Sequence, residues 1–307
     1  MKLISYISSL IIGASLILVF EPFNFWFLTF FIPLSLYFLI KDHDIKSSFY
    51  LGWFFGFGLW LIGIFWIENS IYFYGGATKS VSYFLVICLS AFLALLNGIF
   101  FGIFAYCKTK TNFDILFLFP SIWVGSEWIR EFLLSGFPWF YLGYTSLDNF
   151  FFSGFIPIFG VFGMSFILIF IPALIFVLGE SLISGRQKKI SLIYLTIFSL
   201  FLIASFSSYR VEWTTKKDEV NIVIIQPNIS IEEKWSFQGE NESINLFKSK
   251  IKEYSVKSKD KDILSIIFWP EVFLPGLSFK YTKVIDELEN YISESNFASI
   301  FGILSKS

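Results

Sequence analysis

Charge is the scarcest feature of this sequence. Only 15% of its 307 residues are Asp, Glu, Lys or Arg, against about 25% in an average protein, and the net charge is −1. With 55% hydrophobic and 22% aromatic residues beside it, that scarcity excludes a disordered chain and a coiled coil. It also excludes a soluble nucleic-acid binder, which needs an excess of Lys and Arg. Cysteine is nearly absent: two residues, Cys88 and Cys107, exclude a disulfide framework and a thiolate zinc site. A single histidine, His43, excludes a multi-His metal site and leaves a His-based triad without a second candidate.

The charge that is present lies unevenly. Residues 1–208 hold ten Lys/Arg and nine Asp/Glu, whereas residues 209–307 hold thirteen and fifteen. Two solvents are implied, lipid for 1–208 and water for 209–307. A bilayer core takes about 20 mostly apolar residues to cross. Seven stretches meet or approach that length: 3–20, 23–40, 48–67, 81–106, 113–130, 155–179 and 190–208. The fifth is the weakest, because Asp114 and Glu127 bracket a short core. The first has no A-x-A-like cleavage site after it, and only Glu21-Pro22 separates it from the second, so it reads as an uncleaved span.

Lys and Arg counts orient such a bundle. With the N-terminus in the cytoplasm, the cytoplasmic segments hold eight: Lys2, Lys41, Lys46, Lys108, Lys110, Arg186, Lys188 and Lys189. The opposite side holds two, Lys79 and Arg130. An odd number of spans then delivers residues 209 onward to the outer face. Trp60, Trp66, Trp139, Tyr141 and Tyr144 would mark the membrane interfaces, or simply pack.

The polar third changes period. Val220–Gln226 and Ile263–Trp269 read as buried strands, stopped by Pro227 and Pro270, and Ala298–Leu304 reads as a third. Residues 240–256 and 281–294 carry apolar positions at helical spacing among charges. The order β-α-β-α-β predicts a layered α/β domain with parallel neighbours. It stops three residues after its third strand, short of the usual size, so the expectation is a partial domain with more chain to follow.

Four groups are candidates for chemistry. Glu271 directly follows the second strand, where open α/β sheets bind ligands. Walled from water by Trp269 and Phe273 it would be a general base; otherwise it is an ordinary turn carboxylate. Lys234-Trp235 lies just past the first strand, as a ligand-facing pair or as a solvated loop lysine with a Trp anchor. Glu127 and Arg130 sit three apart on a helix, where they either pair with each other or carry function, as intramembrane charges often do. The run Ser135-Gly136-Phe137-Pro138-Trp139 would set aromatic rings at the outer headgroup level, as a lip for a lipid entrance or as a loop anchor. Cys88 and Cys107 fall inside and at the cytoplasmic end of the fourth span and read as inert small side chains, unable to reach Glu271; His43 reads as solvated surface.

The ordered motifs resemble the apolipoprotein N-acyltransferases, the membrane branch of the nitrilase superfamily. They run from Glu21-Pro22-Phe23 with Trp26 through Gly52–Gly58 and Gly63-Ile64-Phe65-Trp66. Glu127–Arg130, Gly136–Trp139, Gly143-Tyr144 and Pro157–Gly160 follow, and then Gln226-Pro227-Asn228, Lys234-Trp235 and Trp269-Pro270-Glu271. The resemblance implies a polytopic α-helical bundle in the bacterial inner membrane, followed by a partial nitrilase-like αββα domain in the periplasm. It implies a monomer that uses no metal and no cofactor. The acyl donor is a phospholipid and the acceptor is the α-amine of diacylglyceryl-cysteine in an apolipoprotein. Glu271 matches the family's proton acceptor in a Glu-Lys-Cys triad that works through a thioester. Trp235, Lys234, Glu127, Arg130 and Trp139 are candidates for substrate binding or for structure. The family's catalytic Lys and Cys lie downstream of the segment matching Phe297–Ser307. Lys280, Lys283 and Lys306 do not sit in the expected motif, and no cysteine follows Cys107. The 307-residue chain alone is therefore expected to be inactive. The alternatives are a truncated, non-catalytic remnant or a lipid- or lipoprotein-binding membrane protein. A transporter is a third, disfavoured by the few ionisable residues in the spans.

Overall fold

The structure, a computed structural model, describes residues 2–133, 136–147, 149–184, 188–217, 219–258, 263–293 and 296–305. Ser135, Arg186 and Lys306 lie outside the described residues. Contacts divide the chain into two units, Met1–Trp213 and Thr214–Ser307.

The first unit is helical: α1 (Lys2–Ser15), α2 (Ile32–Ile40), α3 (Ile45–Gly63), α4 (Ile67–Phe73), α5 (Lys79–Cys107), α6 (Phe119–Phe132), α7 (Ile156–Ser184) and α8 (Lys188–Ser208). Among the described residues four helices are long and apolar enough to cross a membrane, at Ile45–Gly63, Lys79–Cys107, Ser153–Ser184 and Ser191–Ser208. The remaining three apolar stretches are shorter or composite. Stretch 3–20 is α1 extended by a 3₁₀ turn at Leu16–Val19, and 23–40 is a 3₁₀ segment at Trp26–Phe30 followed by α2. Stretch 113–130 begins with a π turn, Asp114–Leu118, before α6. Asp114 is inside the helix start for a local reason: its carboxylate accepts from Thr109 N, Thr109 Oγ1 and Lys110 N and so caps the turn that leaves α5.

A row of large apolar side chains on α5, including Phe84, Ile87, Phe92, Leu95 and Ile99, is exposed. Water does not tolerate so continuous a face on a 29-residue helix. The chain is a membrane protein. Inside the bundle the rings of Phe55, Phe101, Phe119 and Trp123 interlock, with Phe55 5.5 Å from Trp123 and Phe101 5.8 Å from Phe119. Gly56 brings α3 against α5: a Cβ there would lie 2.6 Å from Asn97 Oδ1. The same oxygen accepts from Trp60 Nε1 at 3.1 Å, so the polar group in mid-helix is satisfied. Of the aromatic residues read as interface markers or packing, Trp60 and Tyr141 are fully buried and pack inside the bundle, while Trp66, Trp139 and Tyr144 are exposed. His43 is half-buried rather than solvated, and its carbonyl accepts from Lys108 Nζ.

The second unit contains β1 (Asn221–Ile224), α9 (Ile231–Lys234), α10 (Phe237–Ser258), β2 (Ser265–Phe268), β3 (Leu274–Leu277), α11 (Thr282–Ser293), β4 (Phe297–Ile300) and β5 (Ile303–Leu304). Strands β1, β2 and β4 form one parallel sheet with β2 central, and β3 pairs with β5 in a second. The single strand expected at 298–304 is two strands in different sheets, broken at Phe301-Gly302. The sequence pattern missed β3, because Pro275 and Gly276 sit inside it. The core gathers Phe247 and Ile251 of α10, Ile267, Trp269, Phe273, and Leu288 of α11.

Candidate functional site

The three parallel strands end in register at Ile224, Phe268 and Ile300, so the chain leaves the sheet along one edge. Gln226-Pro227-Asn228 follows β1 there, Trp269-Pro270-Glu271 follows β2, and Gly302 follows β4. Asn228 adopts φ 58°, a left-handed turn that Asn tolerates better than most residues. A cavity of about 270 Å³ is lined by Gln226, Pro227, Asn228, Lys234, Pro270 and Phe273, together with Ser243. Two sequence motifs, Gln226–Asn228 and Lys234, thus meet Pro270 at the edge where such sheets bind ligands.

The backbone that carries Glu271 is fixed from three sides. Lys234 Nζ donates to the Val272 carbonyl oxygen. Trp269 N donates to Ile300 O at 3.0 Å, and Trp269 Nε1 to Ser299 Oγ at 2.9 Å. Gly302 lies so close that a Cβ there would meet the Glu271 carbonyl oxygen at 1.5 Å. The Glu271 side chain itself is exposed. Trp269 and Phe273 do not wall it off; their rings meet at a tilt of 38°, 4.5 Å apart, inside the core and against Phe247. The result is an acid on a rigid turn, open to a group brought to it. Lys234 is half-buried and donates to a backbone carbonyl, while Trp235 is 55% exposed. Ser243 Oγ is buried at the cavity wall with no hydrogen-bond partner, a feature no sequence pattern signals.

Beside this edge, Glu240 of α10 accepts from Lys280 Nζ at 2.7 Å and from Tyr281 Oη at 2.8 Å. The hydrogen bond from Lys280 holds the Glu240 carboxyl below its ordinary value. Burial, and then the bond to Glu240, pushes the Tyr281 hydroxyl well above its own.

The first unit holds the other candidates. Glu127 and Arg130 on α6 are both buried, but no hydrogen bond joins them. Glu127 Oε1 instead accepts from Trp123 Nε1 at 3.0 Å and from Leu142 N at 2.9 Å, tying the 142–146 turn to α6. The Arg130 guanidinium lies against two aromatic rings, 4.7 Å from the centre of Trp60 and 4.8 Å from that of Tyr141. Those two aromatic partners were not foreseen as such, because spacing along the chain does not bring residues 60, 130 and 141 together. Trp139 packs on Trp66 at 5.3 Å and lines a cavity of about 330 Å³ with Glu21, Asn24, Phe140 and Tyr144. Phe140 takes φ 57°, unusual for an aromatic residue, with its ring 5.2 Å from Phe20.

Among the described residues no cluster of three or more His, Cys, Asp or Glu is placed to hold a metal ion. Comparison with known proteins converges on one family. The family model described as the apolipoprotein N-acyltransferase N-terminal domain matches residues 12–174. A protein named apolipoprotein N-acyltransferase from Pasteurella multocida is 27% identical over 99% of this chain and 57% of its own length. Its namesake in Coxiella burnetii is 32% identical over 96% of this chain and 59% of itself, and that of Haemophilus influenzae 28% over 98% and 56%. The chain thus spans less than three-fifths of each of these relatives. With more than half of its residues matched by the family model, the chain belongs to the apolipoprotein N-acyltransferase family.

Proposed function

We propose that this chain is the membrane-anchoring and acid-bearing part of an enzyme that moves a fatty acyl group from a phospholipid to the α-amine of diacylglyceryl-cysteine in apolipoproteins. The observation that carries the proposal is Glu271, held on a turn fixed by Lys234, Ser299 and Gly302 at the carboxyl edge of a parallel sheet. That edge is where parallel α/β sheets bind their ligands.

In this reading Glu271 takes the proton of a cysteine thiol supplied by chain beyond residue 307. The thiolate attacks the phospholipid ester carbonyl, and a lysine stabilises the tetrahedral oxyanion. The ester C–O bond breaks, lysophospholipid leaves with the proton from Glu271, and a thioester remains. The lipoprotein amine then attacks the thioester, forms the amide and returns the thiol. Cys88 and Cys107 both belong to α5, and residues 214–307 contain no cysteine, so the 307-residue chain alone is proposed to form no thioester. Residues 1–208 are proposed to cross the bacterial inner membrane seven times and to present the partial nitrilase-like domain to the periplasm, as a monomer. Trp139 and its neighbours at the outer headgroup level would form the entrance for lipid.

The test uses the product of the gene read to its stop codon. Glu271→Gln keeps the shape and removes the base, and is expected to abolish the acyl adduct seen by mass spectrometry. Lipoprotein still acylated at the normal rate in that variant sinks the assignment. A reading frame that ends at 307, with no second piece encoding Lys and Cys, sinks the catalytic claim and leaves a lipid- or lipoprotein-binding protein.

A further inference from the structure

A lysine beside a candidate base invites a direct role, on the substrate or on developing charge. The contacts of Lys234 give it a different one. Lys234 ends the short helix α9, and that helix is held at both ends. Glu233 N donates to Ser230 Oγ at 3.2 Å and Lys234 N to Ser230 O at 2.9 Å. On the far side, Gly239 of α10 comes so close that a Cβ there would lie 2.0 Å from the Glu233 carbonyl oxygen, and Gly239 N donates to Ser236 Oγ at 3.0 Å. The lysine side chain therefore leaves a fixed stem. It lines the cavity of about 270 Å³ together with Pro270 and Phe273, the residues that flank the Glu271-Val272 turn. Its ammonium donates to the Val272 carbonyl oxygen, and among the described residues no ion pair joins it to Glu271.

The carbonyl of Val272 and the amide of Phe273 belong to one planar peptide unit and point to opposite sides of it. Lys234 holds the carbonyl, and Gly302 O accepts from Phe273 N at 3.4 Å. The plane is thus gripped from both sides. A neutral bond of that length is weak, whereas the ammonium brings a full charge, so Lys234 is the firmer grip. The preceding carbonyl, that of Glu271, is fixed by its packing on Gly302. The Glu271 side chain is exposed, and among the described residues no hydrogen bond restrains it, so the place of its carboxylate follows from the backbone beneath. We propose that Lys234 is a positioning residue, which sets where the Glu271 carboxylate stands by holding the Val272 peptide and touches neither substrate nor thiol. The proposal rests on the reading of Glu271 as the base.

The test uses the product of the gene read to its stop codon. Acyl-adduct formation is followed in a single turnover, with phosphatidylethanolamine carrying a labelled acyl chain. A displaced base slows the step without weakening the binding of lipid. Lys234→Met is therefore expected to lower the saturating rate by about ten- to a hundredfold and to leave the half-saturating lipid concentration unchanged. Lys234→Arg keeps a cationic donor and is expected to recover most of the rate. A raised half-saturating concentration at an unchanged rate would make Lys234 a substrate contact and overturn the proposal. So would a normal rate in Lys234→Met while Glu271→Gln is inactive, and in that case Glu271 remains the base. A normal rate in Glu271→Gln instead removes the base on which the proposal stands. Should Lys234→Met fail to fold, Gly239→Ala tests the same link from its stem, since the added Cβ displaces α9 and leaves Lys234 in the chain. It is expected to lower the saturating rate in the same way, and an undiminished rate at the thermal stability of the parent would refute the positioning role.

Discussion

Glu127 and Glu271 are both carboxylates that the sequence marked for chemistry, and the structure gives them opposite circumstances. Glu271 is exposed on a fixed turn, whereas Glu127 is buried and occupied, with Oε1 shared between the Leu142 amide and the Trp123 indole. What Glu127 contributes is an acceptor oxygen more than a charge. Removing the acceptor leaves two buried donors stranded, so Glu127→Ala is expected to cost about 3 kcal/mol. Glu127→Gln keeps a carbonyl oxygen at the same place and is expected to cost less than half of that. Chemical unfolding of the full chain in detergent compares the two, and equal losses would show that the charge carries the effect. The residue types were legible in the sequence; their partners were not. Spacing of three on a helix suggested that Glu127 and Arg130 face each other, yet the carboxylate turns to a loop twelve residues beyond Arg130, and the guanidinium turns to two rings.

Helices α10 and α11 show how much of the second unit rests on charge. Besides Glu240 with Lys280, Lys248 Nζ meets Glu287 at 2.5 Å, joining the two helices. Hydrogen bonds from Lys280 and Lys248 hold Glu240 and Glu287 below the ordinary carboxylate value of 4.5, and bonds from Lys250 and Lys257 bring Glu253 to about 2. A carboxylate whose proton affinity is lowered by folding adds stability above its unfolded value and loses it as the pH falls through the folded one. Protection factors for amides of α10 and α11 are therefore expected to hold from neutrality to about pH 5 and to fall between there and about pH 2. High salt is expected to flatten the share due to the exposed Glu253 and Glu287 pairs. Glu240→Gln removes the share of the partly buried Glu240, and protection that falls as before in that variant would reject its part. Both helices were visible in the sequence because an apolar stripe among charges repeats at the helical period. The strand β3 was not visible, since Pro275 and Gly276 contradict strand propensity and only its pairing with β5 makes it one. The break between β4 and β5 was hidden for a related reason. Gly302 reads locally as part of an apolar run, and its closeness to the Glu271 backbone is a tertiary fact.

At the scale of the whole chain, the side of the membrane that receives Glu271 follows from parity. Helix α1 with its 3₁₀ turn reaches about 29 Å, close to the thickness of a hydrocarbon core, and the segment that ends in α2 about 24 Å. Those two act as a pair: whether both cross or neither does, everything from α3 onward stays on the same sides. Helices α3, α5, α7 and α8 are long and apolar enough to cross by themselves. The decision therefore falls on α6, which begins at the Asp114 turn and carries Glu127 and Arg130 near its far end. If α6 spans, the eight-to-two excess of Lys and Arg faces the cytoplasm and residues 214–307 face the periplasm. Single cysteines read this directly, in a chain with Cys88→Ala and Cys107→Ala. An impermeant maleimide applied to spheroplasts is expected to label Leu147→Cys and Ser249→Cys at once, and Asn112→Cys only after lysis. Asn112 and Leu147 flank α6 and are exposed, as is Ser249 on α10. Labelling of residues 112 and 147 from one side would turn α6 into a re-entrant segment, move Glu271 into the cytosol and overturn the proposed function.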